Sequence, residues 1–290
     1  MLDELMMAVR QVDERATGAV VRVRTGGRTA NAVVVGKDRL VTNAHNVVHG
    51  QVMLQFDGGG VAEATVAGSD VDGDLAVLAA DTGSRQVIQL AEDAAQVGQP
   101  VFAVVAAARG PRITFGTVAA VGAAFRGPRG RRITGSIEHT AAMAAGSSGS
   151  ALVDTEGRLL GLNTNRVEGG LYQALPANAS LIARIEDLAE GKEVRRPRLG
   201  VALAPPWAAR RMRAAVGLSP GKGVLVREVD PSGSAAAAGI GVGDMIVAID
   251  GRPVRDADDL SEAIDTAEGA LRLDLLRGEE ERSVTVALGD

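Results

Sequence analysis

Cysteine is absent from all 290 residues. Its absence excludes disulfide bonds, thiol catalysis and cysteine-ligated zinc, and leaves the redox compartment open. Aromatic side chains are nearly as scarce: four Phe, one Tyr and one Trp make up 2% of the chain. A core must therefore be assembled from Val, Leu, Ile and Ala. The longest apolar run is residues 101–108, far short of the ~18–20 residues a helix needs to span a bilayer. An excess of positive charge is also missing. Lys and Arg number 31 against 36 Asp and Glu, a net charge of −5, so nothing marks a nucleic-acid binder. There are only three histidines, His45, His49 and His139. No cluster has metal-ligand spacing, and no metal or other cofactor is expected.

The length favours about two domains. Glycine, at 37 residues, is abundant and points to many turns. From Gly18 to about Ala174 short β-rich runs follow one another, separated by Gly and Asp: 19–24, 31–35, 40–42, 52–56, 62–67, 75–79, 101–105, 117–121, 133–137, 151–153 and 159–162. Such spacing predicts an all-β barrel or sandwich pair. Residues 179–189 place Leu181, Ile182, Ile185 and Leu188 on one helical face. A charged stretch over 191–198 reads as a linker between a first domain, 1–190, and a second, 199–290. The second has expected strands at 223–228, 245–249, 271–276 and 283–288 and a helix over 256–267. Residues 231–234 are read as a cap for a short helix over 235–238 that stops at Gly239.

The first dozen residues read as a short amphipathic helix. Asp3 and Glu4 stand where a secretory signal would carry Lys or Arg. Two localisations stay open: cytoplasmic if the chain is complete, periplasmic or cell-envelope if a leader has been removed.

Three segments carry chemistry. Thr42-Asn43-Ala44-His45 follows an apolar strand. Asp70-Val71-Asp72-Gly73-Asp74 is an acidic turn entering Leu75-Ala76-Val77-Leu78. Gly146-Ser147-Ser148-Gly149-Ser150-Ala151-Leu152 is a glycine-flanked loop entering another strand. The order His, Asp, Ser is that of chymotrypsin-type enzymes, and Ser150 breaks the G-x-S-x-G pattern of α/β-hydrolases. Serine is a weak nucleophile that needs an adjacent base, and a buried carboxylate fixes that base's tautomer. A glycine before the serine lets backbone N–H groups, here those of Gly146 and Ser148, face a developing oxyanion. Asp72 beside Gly73 fits a turn, whereas Asp74 opens the apolar strand; both stay candidates for the acid on this reading. His49, next to Gly50, reads as a surface residue, and His139 as structural or substrate-lining.

At these residues the chain resembles the HtrA (Deg) family of trypsin-like serine proteases with one C-terminal PDZ domain. T-N-x-H-V-V resembles residues 42–48, D-x-x-x-D-L-A-V-L matches 70–78, and G-N-S-G-G-P-L matches 146–152 in part. Leu199-Gly200-Val201 resembles the PDZ carboxylate-binding loop, and residues 233–246 with 250–254 resemble the rest of that domain's signature. The resemblance spans about residues 12–288. It implies a mainly β chain: a chymotrypsin-like double β-barrel protease domain, then a small α/β PDZ domain. It assigns the triad acid to Asp74, completing His45, Asp74 and Ser148. It places a specificity pocket against 141–145 and Leu162, Asn163 and Thr164, suited to small or medium aliphatic residues. It further implies unfolded polypeptide substrates, C-terminal peptides as PDZ ligands, and a homotrimer. The peptide would add a strand to 201–204, with Leu260 and Ile264 flooring the pocket for its last side chain. Alternatively these two are only core, with residues 205–207 closing the groove. The basic stretch 126–132 occupies the family's sensor loop; otherwise it is a solvated loop.

The chain departs from the family's pattern at Ser147 for Asn, Ser150 for Gly, Ala151 for Pro and Thr140 for Asp, and alanines fill the run before Gly146. These changes motivate a rival reading, a peptide-binding chaperone or scaffold with a weak or inactive protease site.

Overall fold

The computed structural model describes residues 2–47, 51–127, 132–192, 197–267 and 269–288. His49, residues 128–131 of the basic stretch and residues 193–196 of the predicted linker lie outside them. The chain forms two compact units, Met1–Val194 and Arg195–Asp290.

The first unit opens with helix α1 (Leu2–Ala16), which buries Val12 and Ala16. Six strands follow: β1 (Val20–Thr25), β2 (Arg28–Gly36), β3 (Arg39–Thr42), β4 (Val52–Gln55), β5 (Val61–Asp70) and β6 (Leu75–Ala79). They close into a barrel in the order β1-β2-β3-β6-β5-β4. A second barrel, in the order β10-β11-β12-β9-β8-β7, is built from β7 (Pro100–Ala107), β8 (Gly110–Arg126), β9 (Arg132–His139), β10 (Ala151–Val153), β11 (Leu159–Arg166) and β12 (Tyr172–Pro176). Closure leaves no sheet edge exposed along either barrel. Val, Leu, Ile and Ala dominate the core, joined by Phe56, Phe102 and Phe125.

Strand β12 and the full length of β8 go beyond the sequence expectation. Gly116 and Gly122 flank the expected strand 117–121, yet both lie inside β8. A Cβ at Gly116 would stand 2.1 Å from Ala141 N, and the register of β8 on β9 shifts between Val121 and Ala123, around Gly122. In both places glycine lets one long bent strand continue. Helix α2 (Ala179–Ala189) is capped by the Asn178 side chain, which accepts from Leu181 N–H at 3.0 Å. Its buried Leu181, Ile185 and Leu188 join the core of the first unit.

The second unit contains β13 (Val201–Leu203), α3 (Pro206–Ala215), β14 (Val224–Val229), α4 (Ser234–Ala237), β15 (Asp244–Ile249), β16 (Arg252–Pro253), α5 (Ala257–Asp265), β17 (Ala270–Arg277) and β18 (Glu280–Ala287). The sheet order is β13-β14-β15-β17-β18, with β16 on β15. Helix α3 was not expected from sequence. Its Pro206 occupies the first turn, where a missing N–H costs nothing. Helix α4 starts one residue earlier than expected, with extended Gly233 as N-cap and no side-chain cap.

Candidate active site

His45 sits in a 3-10 turn (Ala44–Asn46) that follows β3. Its Nδ1–H donates to the Asp74 carboxylate, 2.9 Å to Oδ1 and 3.0 Å to Oδ2, and its backbone N–H reaches Oδ1 at 3.2 Å. The Thr164 hydroxyl donates to Oδ2 at 2.7 Å. Asp74 is 1% exposed, so these donors replace the water it loses on burial. With Nδ1 committed to the carboxylate, Nε2 is left as the basic nitrogen of a neutral ring. Asp74, not Asp72, therefore meets His45. Asp74 adopts φ +51° immediately before β6, a conformation that favours glycine but that Asp tolerates.

The Ser148 loop is fastened to the first barrel by its own backbone. Asn31 N–H donates to Ser148 O at 2.8 Å, and Asn46 Nδ2 donates to the same oxygen at 3.2 Å. Asn31 Nδ2 also holds Gly146 O at 3.0 Å, while its Oδ1 accepts from Ala106 N–H at 2.7 Å. Gly149 is obligatory: at φ +83°, an added Cβ would lie 2.0 Å from Asn31 O. The N–H groups of Gly146 and Ser148 make no hydrogen bond among the described residues, which leaves both donors available.

The Ser148 hydroxyl donates to Thr164 O at 2.8 Å, not to His45. Thr164 thus touches both Asp74 and Ser148 and ties the acid to the serine. The sequence placed Thr164 only in a pocket wall and gave no role to Asn31 or Asn46. Their signal is weak, because ordinary polar residues acquire these roles through pairing of distant strands. Leu162 and Asn163, the other predicted wall residues, have no exposed surface. Leu162 is core, and Asn163 links His139 Nε2–H (3.0 Å) to Ser150 Oγ (2.9 Å) beneath the loop. His139 itself is buried, stacked on Tyr172.

In the second unit Leu199 is buried, and Gly200 takes φ +78°. The N–H groups of both donate to nothing among the described residues, while their carbonyls accept from Ala235 and Asp230 N–H at 2.8 Å each. Val201 begins β13, which ends the sheet and has one edge unpaired among the described residues. Leu260 and Ile264 of α5 are buried in one apolar cluster with Leu199, against which Val201 and Leu203 pack. Trp207 is 61% exposed; it lies outside this cluster and does not cover it. Among the described residues no group of His, Asp and Glu could hold a metal, and no helix is long and apolar enough to cross a membrane.

Comparison with known proteins finds relatives of both units. A profile of the trypsin-like peptidase domain matches residues 30–162, and one of the PDZ domain matches 225–277. The chain is 30% identical to the serine endoprotease DegS of Escherichia coli over 283 residues, covering 88% of this chain and 78% of that protein. Identity to the Do-like serine protease HtrA of Lactobacillus helveticus is 32% over 246 residues, 78% of this chain and 58% of that one. Against a DegP-like relative of Halomonas elongata the chain spans about half, 54%, of its length. A solved structure of the HtrA-type protease AlgW with a tripeptide superposes with a TM-score of 0.66 at 28% identity, covering 97% of this chain and 96% of that one.

Proposed function

The chain belongs to the HtrA family of trypsin-like serine endoproteases that carry a PDZ domain, and from that premise we propose that it cuts unfolded or misfolded polypeptides under the control of peptides bound by its second unit. His45 is the general base, Asp74 its orienting partner and Ser148 the nucleophile. The observation that carries this reading is the buried Asp74 carboxylate on His45 Nδ1, bridged to Ser148 through Thr164.

In this reading the Ser148 hydroxyl rotates from Thr164 O to His45 Nε2 when substrate enters. Catalytic hydrogen bonds often tighten only in the complex. Nε2 takes the proton as Oγ attacks the scissile carbonyl, and the N–H groups of Gly146 and Ser148 stabilise the oxyanion. The imidazolium, held by Asp74, returns the proton to the leaving amine; water then hydrolyses the acyl-enzyme by the same route. No acidic residue occurs in 141–145 or 161–164, so cleavage follows small or medium aliphatic residues. A cationic side chain there would lose its hydration without compensation.

The position of the Ser148 hydroxyl on Thr164 O favours one rival, a peptide-binding scaffold with a silent protease site. A fluorophosphonate label separates the two, since only a serine paired with its base reacts rapidly. Casein digestion by the purified chain tests the main reading directly. Ser148→Ala, His45→Ala and Asp74→Asn should each lower turnover by about 10⁴-fold. Wild-type digestion by Ser148→Ala would sink the protease reading; an inert, unlabelled wild type would establish the scaffold.

A further inference from the structure

Beside the Ser148 loop the first unit carries a half-open cavity of about 490 Å³. Gly146 and Ser147 belong to its wall, whereas His45, Ser148 and Thr164 do not. One side is the loop over residues 142–147; the other is Thr29 and the end of β7. The cavity therefore lies on the flank of Gly146 away from Thr164, where the part of a substrate beyond the scissile bond would leave. A cleft of about 210 Å³ shares Arg22 and residues 106–108 with it and runs on toward the Gly58-Gly59 turn.

Arg22 of β1 and Arg112 of β8 line the larger cavity together with the threonines Thr29 and Thr114, and among the described residues no Asp or Glu lines it. Arg22 donates to a neutral partner, Gln55 Oε1, at 3.0 Å. Arg112 has no side-chain hydrogen bond or ion pair among the described residues. Asp57 is the one carboxylate at the adjoining cleft. In a chain of net charge −5, two guanidiniums without a carboxylate in a shared cavity form a local positive site. A planar guanidinium matches a carboxylate in two parallel hydrogen bonds.

We propose that this cavity is a leaving-side subsite for a substrate carboxylate, read by Arg22 and Arg112. The proposal rests on Ser148 being the nucleophile. The carboxylate is that of an Asp or Glu side chain within a few residues after the cut; the terminal carboxylate of a short substrate has the same chemistry and needs its own arm in the test.

The experiment uses the full chain and internally quenched peptides with amidated ends, carrying Glu or Gln at each of the first three positions after the scissile bond. At one position Glu should raise kcat/KM over Gln by about three- to tenfold at low salt, the range of one or two partly exposed ion pairs. The gain should shrink at high ionic strength. In the Arg22→Gln/Arg112→Gln chain the Glu-to-Gln ratio should fall toward one. Arg112→Gln alone should lower it partway, which covers a double variant that fails to fold. A Gln peptide ending in a free carboxylate identifies the source: if it alone gains, the site reads chain ends and the side-chain assignment is overturned. Equal cleavage of Glu and Gln peptides by the wild type would overturn the subsite while leaving the protease reading intact. So would a ratio that survives the double substitution. If no peptide is cut and fluorophosphonate does not label Ser148, the reading beneath the proposal fails instead. Titration of the Glu and Gln peptides against the Ser148→Ala chain then decides whether the cavity still selects a carboxylate.

Discussion

His139 shows how far one buried side chain can set the pH response of the fold. It has no exposed surface, and burial lowers its imidazole to about 4 despite the opposing hydrogen bond to Asn163. Nδ1 has no hydrogen-bond partner among the described residues, so a proton there would be a buried charge without compensation. The unfolded chain titrates near the ordinary 6.5, so between about 6.5 and 4 it binds more protons than the folded one, and stability falls as pH drops through that window. Full development of the shift corresponds to about 3 kcal/mol at about 1.4 kcal/mol per unit. Urea midpoints measured from pH 7 to pH 4 should therefore fall more steeply for the wild type than for His139→Gln, whose amide keeps a donor for Asn163. Parallel slopes would show that His139 is protonated in the fold.

At the scale of an element, α2 holds the turn that presents Asp74, the proposed catalytic acid. Arg184 extends from this helix to Asp70 Oδ2 at 2.7 Å and to Gly73 O at 3.2 Å. Asp70 Oδ1 in turn accepts from Gly73 N–H at 2.9 Å. Gly73 precedes Asp74 in its left-handed conformation, so the clamp braces the backbone at the one residue that must hold His45. The helix can lie this close because residue 68 is glycine: a Cβ there would stand 2.3 Å from Leu188 O. Arg184→Ala should cost about 1.5–3 kcal/mol of stability, the range for charge-assisted hydrogen bonds. It should also lower kcat more than it raises KM, because Arg184 positions the acid without touching substrate. Arg184→Lys should restore part of kcat. Unchanged kcat in a folded Arg184→Ala chain, measured with a fluorogenic peptide, would separate the turn from catalysis.

For the whole molecule, the expected control element is the second unit. An apolar-ended peptide would place its terminal carboxylate on the free N–H groups of Leu199 and Gly200 and its backbone along β13, with its last side chain against the cluster of Leu260 and Ile264. Calorimetric titration into the Ser148→Ala chain should show the free acid binding at least tenfold tighter than its C-terminal amide, since hydrogen bonds to a charged group contribute about 1.5–3 kcal/mol. Equal affinities would remove the carboxylate loop. In the active chain the acid form should also accelerate casein cleavage.

The sequence by itself determined a β-rich first unit, a second unit after a charged stretch, and a short list of candidates, His45, Ser148 and either Asp72 or Asp74; the resemblance to the HtrA family supplied the double barrel, the PDZ domain and the preference for Asp74. Period-two strands and glycine-flanked turns are local patterns, and rare residue types in a fixed order leave few alternatives when only three histidines exist. Strand β12 and helix α3 were missed because Tyr172-Gln173-Ala174 is a short run with mixed periodicity and Pro205-Pro206 reads as a break. Only the tertiary structure decided between Asp72 and Asp74, since both lie in one turn and the backbone conformation at 74 aims a single carboxylate at His45. It alone recruited Asn31, Asn46, Thr164 and Asn163, polar residues that gain their roles when segments far apart in sequence pack together and must satisfy each other's buried groups. It also set the side chain of Leu162 in the core and that of Asn163 beneath the loop, and tied Thr164 to Asp74 and Ser148. Burial belongs to the packed barrel and cannot be read from a segment alone.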